Sequence, residues 1–144
     1  MNQTETVALL KEIYQNARTA IDAIQVLLAK STSAHFTDSL RSQVSQYHEI
    51  ADEAAMQLRG FRELPADNPI FERIGMWASV QMSTVTNKNP GHMAEIMING
   101  STMGVIEMTK YLHANHNVDP AARALAHKLI STEQHNIDLM KNFL

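Results

Sequence analysis

The pattern in this chain that comes closest to a chemical site is a carboxylate followed three residues later by an amide, Glu133-x-x-Asn136. On a helix, side chains three apart project together. A pair of metal ions in a helical bundle is held by one Glu from each of two helices and a Glu-x-x-His from each of the other two. Here an amide stands where the imidazole would be needed. Glu107 is the second inward-tending carboxylate, and Tyr47 and His48 are the nearest polar partners by position on the helical wheel. Two kinds of chemistry are open to such a set. One is a buried polar network or ligand site built from Glu107, Glu133, Asn136, Tyr47 and His48, in which hydrogen bonds fix helix register. The other is a carboxylate metal site in which Glu107 and Glu133 hold iron or manganese. We favour the network, with no metal and no cofactor, because helix one puts no carboxylate on its apolar stripe and helix two turns Glu49-x-x-Asp52 away from its own. A carboxylate left unpaired on a buried stripe would cost several kcal/mol, so Glu133 is expected to be buried, with Asn136 and either Glu107 or Tyr47 beside it.

The remaining candidate ligands do not converge. His127 and His135 are eight residues apart, about 12 Å along a helix axis, and cannot share an ion. His113 and His116 flank a turn, whereas His92 and Glu95 form a cluster at a helix start, suited to capping or bracing it. Met93, Met97, Met103 and Met108 crowd one segment, and thioethers can hold Cu(I). They spread over two faces, however, as methionines filling irregular core gaps do. Neither a glycine-rich phosphate loop, a Gly-x-Ser-x-Gly elbow nor a His-Glu-x-x-His occurs, so the sequence offers no nucleotide or acyl-transfer machinery.

Composition narrows the class further. The 144 residues suffice for a single domain, residues 1–144, with a core of its own. Five Gly, four Pro and 6% aromatics leave little material for strands and tight turns, which marks an all-α chain. With 12 Lys+Arg against 15 Asp+Glu and no run of like charge, neither nucleic acid nor an anionic membrane finds a basic surface. Cysteine is absent, which excludes disulfides and thiolate sites and suits a reducing cytoplasm. No secretory signal and no membrane-spanning stretch are evident, so the expected location is cytoplasmic.

The elements that must position these residues are helices. Leu9, Ile13, Ala17, Ala20, Ile24 and Leu27 repeat at three- and four-residue steps and predict a helix over Thr4 to Lys30, with Glu12, Arg18 and Asp22 outside the stripe. Ser33 can cap a second helix, Ala34 to Arg59, whose apolar face carries Phe36, Leu40, Val44, Tyr47, Ala51, Ala54 and Leu58; Gly60 is placed to end it. Asn68-Pro69, Asn89-Pro90 and Asp119-Pro120 repeat one start signal. The first opens a helix to about Asn87, with Trp77 at the edge of its stripe. The second opens the central helix, to His113, and the third the last, which runs to the C-terminus. The central helix shows two apolar lines, one through Ala94, Met97, Ser101, Gly104 and Met108 and one through Ile96, Gly100, Met103 and Glu107, and is therefore covered on two sides.

Five helices on these links pack either as an up-down array or with Pro69 to Asn87 as a crossover of about 28 Å that lets helix two and the central helix run parallel. We favour the second, a ferritin-like up-down bundle of four long helices with a helical crossover. The chain then resembles the ferritin-like superfamily, and within it an uncharacterised family of short bacterial helical-bundle proteins with a Pro-x-His-x-x-Glu helix start and a Gly-Ser-x-x-Gly step. In this chain those residues are Pro90, His92, Glu95, Gly100, Ser101 and Gly104. The resemblance implies the bundle fold and brings no activity with it.

The resulting expectation is a binding or self-association protein with no active site, covering marginal apolar residues such as Phe61, Trp77 and Ile106 by forming a homodimer. The alternative is a ferritin-like metal oxidoreductase or iron-handling protein using iron or manganese.

Overall fold

A computed structural model describes residues 1–65 and 89–144. Within them the chain is helical and has no strand, as the composition requires. The helices are α1 (Gln3–Lys30), α2 (Ala34–Gly60), α3 (Pro90–Ala114) and α4 (Pro120–Lys141). The helix expected over Pro69 to Asn87, and Trp77 with it, lies outside the described residues.

Capping explains the boundaries. Asn2 Oδ1 accepts from Glu5 N at the start of α1, Ser33 Oγ from Phe36 N at the start of α2, and Asn89 Oδ1 from Gly91 N at the start of α3. Pro90 and Pro120 occupy first-turn positions, where a missing N–H costs nothing. Asp119 makes no side-chain cap. Instead its backbone N–H donates to the hydroxyl of Thr6, 2.9 Å away, and that hydroxyl donates in turn to Asn2 O at 2.8 Å. Thr6 is fully buried.

The end of α2 departs from the sequence expectation. Gly60 is still helical, and the left-handed residue is Arg62, at φ 60°. Arg62 N donates to Arg59 O and Glu63 N to Leu58 O, the two bonds that satisfy the last carbonyls of a helix turning into a left-handed residue. A glycine at the end of a helix signals termination to within a turn, and here termination falls two residues later.

Contacts at the two ends set the directions of the helices. Asn2 N donates to Asn117 O, and the Tyr111 hydroxyl donates to Glu5 O at 2.9 Å, so α1 starts where α3 ends and α4 starts. At the other end the Phe143 ring meets Phe36 edge-on at 5.0 Å and lies 5.1 Å from His35. A Cβ on Gly91 would sit 3.0 Å from Phe143 O. The starts of α2 and α3 therefore lie together beside the end of α4. Hence α2 and α3 are parallel to each other, and α1 and α4 run the opposite way. α1 packs along α2, α3 along α4, α2 against α4 and α1 against α3, closing a ring of four; α1 also reaches α4 across the middle.

The core follows the apolar stripes. Leu9, Ile13, Ala17, Ile24 and Leu27 of α1 are fully buried, as are Phe36, Leu40, Tyr47, Ala54 and Leu58 of α2 and Ala122, Ala126 and Leu129 of α4. Each large apolar side chain buried in this way contributes roughly 1.5–3 kcal/mol. Met93, Met97 and Met108 are buried among them and Met103 partly so, in keeping with a packing role. No helix among the described residues is long and apolar enough to cross a membrane.

Candidate functional site

Halfway along the bundle the core turns polar, and every helix contributes. α1 brings Asn16, α2 brings Gln43, Gln46 and Tyr47, α3 brings Ser101 and Gly104, and α4 brings Glu133 and Asn136. All of these except Gln46 are buried, and Glu133, Asn136 and Tyr47 are at most 1% exposed.

Gly104 makes the arrangement possible. A Cβ built on it would lie 2.7 Å from one carboxylate oxygen of Glu133, 2.8 Å from the other and 2.8 Å from Asn16 Nδ2. The absent side chain is thus the notch in α3 that receives a carboxyl group from α4 and an amide from α1. Gly100, one turn earlier, has nothing within 4 Å of the equivalent position. The Gly100-x-x-x-Gly104 step is therefore a site of close approach at its second residue alone.

Around the carboxyl the hydrogen bonds run mainly between α4 and α2. Asn136 Nδ2 donates to Gln46 Oε1 at 3.2 Å and reaches the Tyr47 hydroxyl at 3.5 Å. The Tyr47 hydroxyl is bonded to Ser101 of α3 as well. Several atoms stay unmatched: Glu133 Oε2, Asn136 Oδ1, Gln43 Oε1 and Asn16 Nδ2 are buried without a hydrogen-bond partner among the described residues. Asn16 is the polar neighbour that favours an ionised Glu133, but its amide nitrogen and the carboxylate lie side by side without forming an aligned bond.

The electrostatic consequence is a carboxyl that holds its proton to higher pH than an exposed glutamate does. Burial raises the pKa of Glu133 well above the ordinary carboxylate value, and the Asn16 amide opposes that only in part. Burial also raises the pKa of Tyr47, with the Glu133 charge adding to the effect while the bonds from Asn136 and Ser101 act against it. Nearer the start of α1, burial pushes Tyr111 up to about 12, helped by the charges of Glu12 and then Glu5.

Not every residue singled out in the sequence reaches this cluster. Glu133, Asn136 and Tyr47 do. Glu107 does not: it is about a third exposed and pairs with Lys110 one turn along the same helix, at 3.9 Å. Past the buried Ile96, the line through Gly100, Met103 and Glu107 lies at the margin of α3, where a carboxylate finds water and a lysine more cheaply than burial. His48 is exposed, because the residue following Tyr47 on the helix points about 100° away from it. The metal set suggested by Glu107 and Glu133 is accordingly not assembled. His92 and Glu95 are both exposed, and Asn89 caps their helix.

Two residues of α1 change the sequence reading. Glu12, placed outside the stripe, is 3% exposed, and Asn16 is 4% exposed. Their signal was present: Leu9, Glu12 or Ile13, Asn16 and Ala20 continue the three- and four-residue step. α1 is covered by three helices instead of one, so its buried face is wider than a single stripe.

Among the described residues no three His, Asp or Glu side chains gather in a way that could hold a metal ion. No family model, curated protein or solved structure matches the chain.

Proposed function

We propose that this chain is a ferritin-like bundle whose centre is a neutral polar network, and that it acts by binding or self-association instead of metal-dependent redox chemistry. The helix directions support the connectivity: α2 parallel to α3, with α1 and α4 opposed to both, is the order of two antiparallel pairs joined by a long crossover. The observation that carries the functional part is Asn136. It stands where a Glu-x-x-His pair would place its imidazole, and its amide is engaged by Gln46 and Tyr47. On α1, Asn16 occupies the place beside Glu133 where a second carboxylate would be needed.

The test is metal retention. Protein produced in medium rich in iron and manganese is expected to carry far less than one ion per chain after gel filtration. Near-stoichiometric iron or manganese, lost on Glu133→Gln, would establish the oxidoreductase or iron-handling alternative instead.

Self-association rests on apolar surface. Ile106 on α3 is half exposed, and Phe61 at the end of α2 is only partly buried. A symmetric homodimer is the commonest way to cover such residues. Light scattering should then give twice the 16.1 kDa chain mass, and a monomer at high concentration would exclude it. The cytoplasm remains the compartment we propose, on the absence of cysteine.

A further inference from the structure

We propose that the outer face of α3 is a self-complementary docking surface whose occupant is α3 of a second copy of this chain, laid antiparallel to the first. This deepens the self-association reading and rests on it. Among the described helices α3 packs along α4 and against α1. Its buried side runs through Ala94, Met97, Ser101, Gly104 and Met108. On the opposite side, at three- and four-residue steps, stand Glu95, Asn99, Thr102, Ile106 and Lys110, all of them exposed. The middle of this line carries no charge. Ile106, 50% exposed, is the large apolar side chain that α3 leaves in water. The Thr102 hydroxyl already donates to Ile98 O at 2.7 Å, so a neighbour can cover Thr102 without costing it a hydrogen bond.

Charge selects the occupant. The line has a carboxylate, Glu95, toward its start and an ammonium, Lys110, toward its end, about 22 Å away along the axis. An antiparallel copy related by a two-fold axis between Thr102 and Met103 sets each Glu95 against the partner's Lys110 and each Ile106 beside the partner's Asn99. Both ends then carry an attractive pair, whereas a parallel copy would bring Glu95 to Glu95 and Lys110 to Lys110. A line whose reverse is its own complement is what an isologous interface requires. Lys110 is not held back by its own helix, because its pair with Glu107 is a surface contact at 3.9 Å, of a kind worth little. One helix pair makes a small interface, so the dimer should be weak and depend on concentration.

Sedimentation equilibrium of the full chain over a concentration series gives the dimer Kd. Glu95→Lys and Lys110→Glu should each raise it by about tenfold, because symmetry counts the change twice and turns an attraction into a repulsion. The double variant Glu95→Lys/Lys110→Glu restores opposite charges and should return the Kd to within about threefold of the parent. The chain has no cysteine, so Thr102→Cys supplies a single thiol near the two-fold axis. Under a mild oxidant it should form a covalent dimer faster than Glu49→Cys, on the exposed surface of α2. A Kd that no charge variant moves, or a Thr102→Cys chain that cross-links no faster than Glu49→Cys, would place the interface elsewhere and overturn the α3 face while leaving self-association standing. A monomer at every concentration would overturn self-association itself, and this face with it.

Discussion

Replacing Glu133 by glutamine is expected to stabilise the protein at neutral pH and to remove a fall in stability that the parent shows as pH rises. Glu133 is 1% exposed, and among the described residues it meets no cationic side chain; its described neighbours include the Asn16 amide, the Tyr47 hydroxyl and the Gly104 backbone. Burial holds its folded-state pKa above the value it has in the unfolded chain. For an acid shifted in that direction the folded state binds the extra proton. The stabilisation is fully present below the unfolded pKa and is lost as pH climbs toward the folded pKa, at about 1.4 kcal/mol per pH unit in between. Glutamine keeps the shape and the donor of the protonated acid and has nothing to ionise. For a chain of this size each kcal/mol corresponds to roughly 2–4 °C in Tm. Melts of both proteins across mildly acid to alkaline pH check this; a variant that keeps the parent's slope, or is the less stable at every pH, would remove the raised carboxyl pKa from the account.

The second large effect is a contrast between two glycines one helical turn apart. In the interior of a helix, Gly→Ala ordinarily stabilises by about 0.5–1 kcal/mol. Gly100→Ala should do so, because nothing lies within 4 Å of its new Cβ. Gly104→Ala should destabilise by about 1–3 kcal/mol, the usual cost of forcing atoms into a packed core. Its methyl would meet both oxygens of Glu133 and Asn16 Nδ2 at under 3 Å. Long side chains can often swing clear of such a clash, but these two are 1% and 4% exposed and have little room to turn. Urea titration of the two variants reads the signs directly. The notch has no role if both alanines stabilise. Combined with Glu133→Ala, Gly104→Ala should lose much of its penalty, because the atoms it collides with are gone.

Legibility in the sequence followed the physics of each signal. Three helix starts were readable because Asx-Pro and Ser caps act locally, and the described helices begin where those residues stand. Glu133 and Asn136 were readable because a carboxylate and an amide interrupt an otherwise apolar stripe between Leu129 and Met140. Directions were readable from link lengths, since links of three residues before α2 and five before α4 favour antiparallel neighbours. Glu12 and Asn16 were missed because the width of a buried face depends on how many helices cover it, which is a tertiary property. Glu107 was misplaced for the converse reason: a wheel gives angle but not depth, and at the margin Lys110 outcompetes the core. The Thr6 hydroxyl, which takes the Asp119 N–H from more than a hundred residues away in the chain, carries no local signal. Gly104 announced a close approach, though not that a carboxyl and an amide would fill it.

The state of the Glu133 side chain is read most directly from its carboxyl carbon resonance in protein carrying 13C-labelled glutamate, assigned by its loss in Glu133→Gln and followed with pH. The expected result is a carboxyl that titrates well above the ordinary glutamate range, with no broadening when Mn(II) is added at acid or neutral pH. A Glu133 resonance that titrates with the rest, near the ordinary carboxylate value of about 4.3, or that Mn(II) broadens before all others, would contradict it.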